Sequence, residues 1–423
     1  MQVSDAQGQM THQKSKQYDF IVTGASGNIG RHLIPLLGDQ GYSILALGRD
    51  ASALRTMYAK HPQVDCADYE ALPGQEICDT LIHLAVRNND QPGTLEDFTR
   101  ANVDFTNAVC AHFMRMNGRR FINISSVQAL DDSNDSPYAV SKRLAQRNLS
   151  ASLGAGLDTV YIGYFYDESF FGKKLGILNQ LGIFGRALFG LFKTLKPTTS
   201  AQSLAVYVAN PENDLPKPKI LTDDLLRSCL YRGVTRAVDV LAAMAILILL
   251  LPMILVLWLV IRLGSPGPAI FAQTRVGKGQ VPFTLYKFRT MKRDTASVGT
   301  HEVSVSAVTK AGKFLRRTKL DELPQAVNLL RGEMTLVGPR PCLPVQQELV
   351  NARSTLGIFS MKPGITGYAQ VREIDMSRPQ ELARSDYVYM KVQSLAINFT
   401  LILQTAFGRG RGDRIVSGEA PQG

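Results

Sequence analysis

Val240–Ile261 reads VLAAMAILILLLPMILVLWLVI, an uncharged and almost wholly apolar run interrupted by one proline, Pro252. As a helix rising ~1.5 Å per residue it would cross most of a ~30 Å hydrocarbon core. It lies in the middle of the chain, so it is no signal peptide. Arg227, Arg232 and Arg236 precede it, and Arg262, Arg275 and Lys278 follow it. Positive flanks mark the cytoplasmic side of a span, and here both flanks are positive. A straight span would put the two halves of the chain in different compartments. A re-entrant helix that bends at Pro252 and returns to the same face keeps them together, because proline removes a backbone hydrogen bond and kinks a helix. Asp239, one turn beyond Arg236, is expected to pair with it at the interface.

Composition agrees with two domains around this run. The 423 residues suffice for two or three cores, and 45% hydrophobic content excludes a polytopic membrane protein. Residues 1–220 carry 21 Lys/Arg against 21 Asp/Glu, whereas residues 221–423 carry 26 against 15, the whole net charge of +11. The C-terminal half is therefore built for anions: phosphate groups, anionic lipid or nucleic acid. Nucleic acid is disfavoured, because the cations cluster around carboxylates and prolines instead of along an aromatic-studded face. Cys66, Cys78, Cys110, Cys229 and Cys342 show no metal-type spacing, so a reducing compartment is expected. Residues 1–17 and 409–423 read as loose tails.

Upstream, Asp19–Thr23 reads as a buried strand entering Gly24-Ala25-Ser26-Gly27-Asn28-Ile29-Gly30, after which Leu33, Ile34, Leu36 and Leu37 recur at helical spacing. Strand, glycine turn and helix is the context in which such glycines bring backbone and helix N–H groups to a dinucleotide pyrophosphate. Pro35 predicts a kink in that helix. The next strand ends at Gly48-Arg49; an Arg there suits a 2′-phosphate and leans the reading to NADP, though it equally suits an ordinary exposed cation. Strands at Thr80–Ala85 and Phe121–Ser126 alternate with helices, and Tyr138-Ala139-Val140-Ser141-Lys142 comes next. Tyr138 and Lys142 share a helix face, where the ammonium is expected to lower the phenol's pKa.

These residues, with Asn102, resemble an extended short-chain dehydrogenase/reductase of the nucleotide-sugar type, the NAD-dependent epimerase/dehydratase kind, over residues 18–224. The resemblance implies that Ser126 polarises a carbonyl, Tyr138 exchanges its proton and Lys142 binds the nicotinamide ribose. It places Gly24, Gly27, Asn28, Ile29, Gly30, Arg49 and Asn102 at an NAD(P) cofactor. Two departures stand out: only twelve positions separate Ser126 from Tyr138, and the region after Lys142 is short. Phe170–Leu195 reads as packing within a substrate subdomain, with a membrane-surface helix as the open alternative. Pro197–Arg227 reads as domain end and linker.

Downstream, Leu315-Arg316-Arg317-Thr318-Lys319-Leu320-Asp321-Glu322-Leu323-Pro324 is followed by Gly338-Pro339-Arg340-Pro341. A helix is predicted over 323–331, with Pro324 in its first turn and Gly332 past its end. Asp321 and Glu322 then sit at its N-terminus, where the dipole is expected to keep a carboxylate ionised. Adjacent carboxylates among cations suit Mg²⁺ with a diphosphate, and they suit a carboxylate nucleophile.

With Ala272–Gly277, Phe283–Met291, Lys362–Gly367 and Ser394-Leu395, this series resembles the bacterial sugar transferase family, the monotopic phosphoglycosyl transferases, over residues 231–407. The resemblance implies transfer of a phospho-sugar from a UDP-sugar to undecaprenyl phosphate with Mg²⁺ and release of UMP. Asp321 would be the nucleophile, with Asp321 and Glu322 at the metal. Arg275, Lys287, Arg289, Arg316, Arg317 and Arg340 would bind phosphates, and Val240–Ile261 would match the family's re-entrant helix. Leu251 stands where a Ser is common, and Val305–Thr309 lacks the Asp and Arg of many members.

The expected architecture is α/β: a Rossmann-like parallel sheet over 18–224, a re-entrant helix with basic flanks over 225–264, and a small mainly α monotopic transferase domain over 265–408. Both domains are expected on the cytoplasmic leaflet of the bacterial inner membrane. The chain is expected to pair the transferase with a UDP-4-keto-sugar reductase. A cofactor-binding scaffold upstream, or a membrane-tethered assembly protein without chemistry, are the alternatives. The sugar and the oligomeric state, a homo-oligomer included, stay open.

Overall fold

The computed structural model describes residues 17–71, 77–116, 118–167, 173–210, 215–292 and 308–409. The expected tails, apart from Gln17 and Arg409, and the Val305–Ala307 departure lie outside these residues. The chain divides into two compact units, residues 1–179 with 198–221, and residues 180–197 with 222–423.

The first 221 residues run β1 (Gln17–Thr23), α1 (Asn28–Asp39), β2 (Ile44–Gly48), α2 (Ala51–Met57), β3 (Val64–Asp68), β4 (Ile77–His83), α3 (Leu95–Thr99), α4 (Phe105–Arg115), β5 (Arg120–Ser126), α5 (Pro137–Leu153), β6 (Leu157–Ile162), β7 (Tyr164–Tyr166), α6 (Gly182–Leu195), β8 (Thr198–Ser200), α7 (Ala201–Ala209) and β9 (Lys219–Leu221). Seven strands form one parallel sheet in the order β3-β2-β1-β4-β5-β6-β9. Alternation splits their side chains between two cores. Val22, Ile82 and Ile122 meet Leu33, Ile34 and Leu37 of α1 and Leu204 of α7 on one face. Ile21, Leu81 and Phe121 meet Val109 and Phe113 of α4 and Leu149 of α5 on the other. Pro35 sits inside α1 without ending it.

Two expectations change here. Within Pro197–Arg227, read as domain end and linker, α7 lines a core and β9 closes the sheet edge, so these two elements are domain end and not linker. Polar residues at the ends of these short elements mimic linker composition. Residues 180–197 belong to the second unit, so the later part of Phe170–Leu195 does not pack within a substrate subdomain.

In the second unit α8 (Cys229–Leu249) and α9 (Leu251–Gly264) meet at 65°. The break falls at Leu250, two residues ahead of the expected position, and Pro252 occupies the first turn of α9, where its missing N–H is not required. Next come the antiparallel hairpin β10 (Ile270–Val276) and β11 (Pro282–Phe288), then α10 (Lys310–Thr318), α11 (Ala326–Arg331) and β12 (Thr335–Val337). The unit ends with α12 (Gln347–Thr355), β13 (Gly364–Thr366), parallel to β12, then α13 (Tyr368–Val371), α14 (Pro379–Val392) and α15 (Leu395–Ala406).

Both ends of the bent pair are tied to this body. Arg236 donates to the Leu329 and Leu330 carbonyls at the end of α11. Asp239 accepts from the Leu336 amide at 2.8 Å and the Thr335 hydroxyl at 3.0 Å, so the expected Arg236–Asp239 pair is replaced by two separate anchors. A buried carboxylate needs such oriented donors, since an unsatisfied one is costly to bury.

Arg289, expected at a phosphate, is instead buried against the end of α9. It donates to the Ser265 carbonyl and hydroxyl at 2.8 Å, the Pro266 carbonyl at 2.8 Å and the Ile261 carbonyl at 3.4 Å. Helix-terminal carbonyls need such donors, and a cation there also opposes the helix dipole. Arg289→Met is therefore expected to destabilise the detergent-solubilised chain by about 1–3 kcal/mol. A lowered unfolding temperature with unchanged nucleotide-sugar KM would identify it as an anchor; a raised KM alone would return it to the substrate.

Candidate functional site

The Asp-Glu pair sits in a 3-10 segment, Leu320–Gln325, that leads directly into α11. The helix expected from Leu323, with Pro324 in its first turn, instead starts at Ala326: Leu323 and Pro324 belong with both carboxylates to the tighter turn, whereas Gly332 closes α11 at φ 74° as expected. Lys319 opens this turn with a left-handed φ of 57°. Asn328 fastens α11 to β11, donating to the Thr284 carbonyl and the Glu333 carboxylate at 2.7 Å and accepting from the Tyr286 amide at 3.2 Å.

Asp321 is buried and Glu322 half-buried. Lys287, from β11, places Nζ 3.3 Å from Glu322 Oε1, and Arg340 places Nη1 4.0 Å from the same oxygen. Burial, reinforced by the adjacent Glu322 charge, pushes the Asp321 carboxyl up to about 6, while Lys287, Arg316 and Arg340 pull it down. Desolvation thus outweighs the helix dipole in direction, yet a carboxyl at about 6 still ionises at neutral pH, as the sequence reading expects. Arg316 donates through Nε to Thr290 Oγ1 at 3.0 Å, and its buried Nη1 has no hydrogen-bond partner. Arg317, next to it, is exposed on α10. Neighbours on a helix point about 100° apart, so only one of the two can face Asp321.

Arg340 belongs to a braced turn. Gly338 donates to the Thr366 carbonyl, and Gly364 donates to the Pro339 carbonyl, both at 2.9 Å. A Cβ on Gly338 would lie 2.5 Å from the Lys362 carbonyl oxygen, and one on Gly367 would lie 2.3 Å from the Gly338 carbonyl oxygen. Lys362–Gly367 thus supports Gly338–Pro341 from behind. Arg275 is a brace as well, donating to the Pro341 carbonyl at 2.9 Å and to Gln273 at 2.6 and 3.1 Å. The sequence reading did not include Arg353. It is 2% exposed, donates to the Arg340 carbonyl at 2.8 Å, and pairs with Asp386 at 2.7 and 2.9 Å. A helical arginine outside every motif carries no local signal of this.

Among the described residues no group of three or more His, Cys, Asp or Glu stands ready for a metal. The donors at Asp321 and Glu322 still fit Mg²⁺, which commonly keeps waters and binds through one or two carboxylates plus substrate phosphates.

The first unit has its own cluster at the strand ends. Gly24 turns at φ 74°, and a Cβ on it would lie 2.6 Å from the Ala85 amide nitrogen; a Cβ on Gly30 would lie 2.4 Å from the Ala25 carbonyl oxygen. Gly27 caps α1 without a side chain, so the first-turn amides of Asn28 and Ile29 face no capping group. These features form a cradle fit for a pyrophosphate. Tyr69, outside the sequence reading, accepts from the Gly24 amide at 3.0 Å. Arg49 is exposed beyond β2, and its neighbour Asp50 caps α2 by accepting from the Ala53 amide at 3.0 Å.

Asn102, expected at the cofactor, is buried and bridges two segments. It exchanges hydrogen bonds with the Arg87 backbone at 2.7 and 3.2 Å and donates to Ser141 at 3.0 Å. Its role here is to hold the segment after β4. Ser126 hydrogen-bonds Tyr138, which lowers the phenol's pKa, but burial dominates and leaves it raised. The expected effect of Lys142 is not what shifts it: Lys142 Nζ donates to the Ile124 carbonyl at 3.1 Å, and burial lowers its own pKa to about 8. Sharing a helix face placed the two side chains together without directing the ammonium at the hydroxyl.

Residues 230–410 match the family described as bacterial sugar transferase, and residues 20–165 match the NAD dependent epimerase/dehydratase family. The UDP-glucose:undecaprenyl-phosphate glucose-1-phosphate transferase of Caulobacter vibrioides is 38% identical over 181 residues, covering 40% of this chain and 67% of that protein. The UDP-N-acetylgalactosamine-undecaprenyl-phosphate N-acetylgalactosaminephosphotransferase of Aeromonas hydrophila is 36% identical, covering 43% of this chain and 44% of that protein. The exopolysaccharide production protein PSS of Rhizobium leguminosarum bv. phaseoli is 37% identical, covering 42% of this chain and 96% of that protein. With the Asp321 site and the bent helix pair inside the matched region, the chain belongs, through its C-terminal half, to the bacterial sugar transferase family.

Proposed function

We propose that the second unit transfers a sugar phosphate from a UDP-sugar to undecaprenyl phosphate at the cytoplasmic leaflet of the bacterial inner membrane, starting assembly of a surface glycan. The observation that carries this reading is a buried carboxylate, Asp321, facing the charges of Lys287, Arg316 and Arg340. An Asp321 oxygen attacks the β-phosphorus of the UDP-sugar, and the bond from that phosphorus to the bridging oxygen breaks, releasing UMP. An oxygen of the lipid phosphate then attacks the same phosphorus, and the bond to Asp321 breaks. Lys287, Arg316 and Arg340 offset charge developing on the phosphoryl oxygens in a desolvated pocket. A Mg²⁺ at Asp321 and Glu322, when bound, supplies further charge neutralisation. The bent pair keeps this chemistry at the surface, where the lipid phosphate resides. With radiolabelled UDP-sugars and undecaprenyl phosphate, UMP is the expected by-product; release of UDP would refute the scheme.

For the first unit we propose NAD(P) binding at the Gly24–Gly30 cradle and reduction of a UDP-4-keto sugar before its transfer. The cofactor, when bound, supplies the hydride. Ser126 polarises the ketone and Tyr138 Oη gives its proton to the oxygen that becomes hydroxyl. Arg49 leans this reading to NADP. A second reading, a scaffold that binds cofactor without reduction, draws support from the raised Tyr138 pKa and from Lys142 facing Ile124. Keto-sugar-dependent oxidation of NADPH, lowered by about 10²–10⁴-fold in Tyr138→Phe, supports the reductase. Cofactor binding with no turnover of any keto sugar selects the scaffold.

A further inference from the structure

α6 belongs to the second unit, although its sequence interrupts the first, and it packs against α8 and α15. Its exposed face is almost entirely apolar. Leu181, Phe184, Leu188, Leu191 and Leu195 recur at alternating spacings of three and four, and Ile183 broadens the stripe. Ile183 is 78% exposed and Phe184 75%. Such a stripe is ordinarily turned toward a core or a partner.

Three occupants suit a stripe of this kind: a second copy, a bilayer crossing and a bilayer surface. A helix seam between copies takes paired charges of both signs along its flanks. Here residues 169–211 contain five Lys/Arg and no Asp or Glu, the one acid paired to α6 being Asp223, 2.9 Å from Lys193, and Gly185 and Gly190 lie within the helix. A crossing needs about 20 residues of continuous helix. Leu175–Leu195 has that length, but Gly182, at φ 53°, breaks it into a 3-10 segment and a 14-residue helix, and Arg186 sits in the latter. Fourteen residues span ~21 Å at ~1.5 Å each, short of the hydrocarbon core. An apolar stripe with no acid of its own, an exposed Arg186 and a second cation, Lys193, paired with Asp223, has the composition of a helix lying in the headgroup region of an anionic bilayer. Phe399 on α15, Phe407 beyond it, and Leu255 and Val256 on α9 are exposed as well.

We propose that α6 is a second membrane-contact element, lying in the interface of an anionic bilayer with Phe184, Leu188 and Leu191 toward the acyl chains. This rests on the bilayer reading of α8 and α9, and the test separates the two. The chain has a single tryptophan, Trp258, on α9. In full-length protein reconstituted in phosphatidylcholine–phosphatidylglycerol vesicles, Trp258 reports α9. In the double variant Trp258→Phe, Phe184→Trp, the new indole reports α6. Brominated acyl chains are expected to quench both, with position 184 quenched most by bromine near the headgroups, and its quenching is expected to weaken when phosphatidylglycerol is omitted. Quenching of Trp258 with none at position 184 would overturn this proposal alone. No quenching at Trp258 would overturn the bilayer reading of the bent pair. A blue-shifted, unquenched indole at position 184 in a particle of doubled mass would assign the stripe to a second copy instead.

Discussion

Asp321→Asn is expected to lower sugar-phosphate transfer by at least about 10³-fold and to abolish the stoichiometric release of UMP that the proposed scheme predicts without lipid acceptor. The same substitution is expected to make the protein more stable at neutral pH. Burial and the adjacent Glu322 charge push the Asp321 carboxyl up to about 6 from its ordinary 3.8. A carboxyl whose pKa is raised by folding favours the native state while protonated. That contribution is present below about pH 4 and is lost as the pH rises through about 6. Asparagine cannot ionise, so it avoids the loss, and a gain on the order of 1 kcal/mol above pH 7 is expected in thermal unfolding. If Asp321 is the nucleophile, as proposed, kcat/KM of the parent enzyme is expected to rise with pH through about 6 as it ionises. A flat profile over that range, or an unstabilised asparagine variant, would contradict the assignment of Asp321 as a strained, desolvated carboxylate. An asparagine variant with full activity would remove it from the chemistry altogether.

The second large effect is expected at Arg353. Arg353→Met leaves the Asp386 carboxylate buried without its cation, at a cost of about 3–5 kcal/mol. For a unit of this size that corresponds to a fall of about 6–20 °C in unfolding temperature. The double variant Arg353→Met, Asp386→Leu removes both charges, and most of the lost stability is expected to return. Transfer activity is expected to stay low, because Arg340 loses the donor that holds its carbonyl. Such an outcome separates a positioning role from a merely structural one. Recovery of both stability and kcat in the double variant would show that the turn carrying Arg340 needs no brace.

Much of this was legible in the sequence because the signals were local. Strand, glycine turn and helix form within one short stretch, and the structure places Gly24, Gly27 and Gly30 at a turn that a Cβ would obstruct at two of them. The Asp321-Glu322 pair stood out after a basic helix and Pro252 within an apolar run, but the burial of Asp321 and the exact break at Leu250 carried no local signal. What the sequence did not show was how like side chains divide among partners. Arg275, Arg289, Arg316, Arg317 and Arg340 are indistinguishable as letters, yet only Arg316 and Arg340 act on Asp321. Arg289 completes a helix end, Arg275 braces a turn and Arg317 faces outward. Those roles depend on partners far away in the chain, such as Ser265 for Arg289 and Pro341 for Arg275. The Lys142–Ile124 contact was hidden in the same way, because helix spacing fixes a face but not where a long side chain ends.

The interleaving of the two units has a practical corollary for dissecting the protein. A cut at residue 221 parts β9 from the remaining C-terminal chain, yet it does not separate the units, because residues 180–197 lie on the other side of it. A fragment beginning at Thr222 would be a transferase stripped of one helix. A fragment ending at Leu221 would carry that helix's greasy stripe without α8 or α15 to shelter any part of it, and would be prone to clump. Clean separation therefore requires excising residues 180–197 from the first piece and restoring them to the second, so the two halves of this chain are modular in fold but not in covalent order.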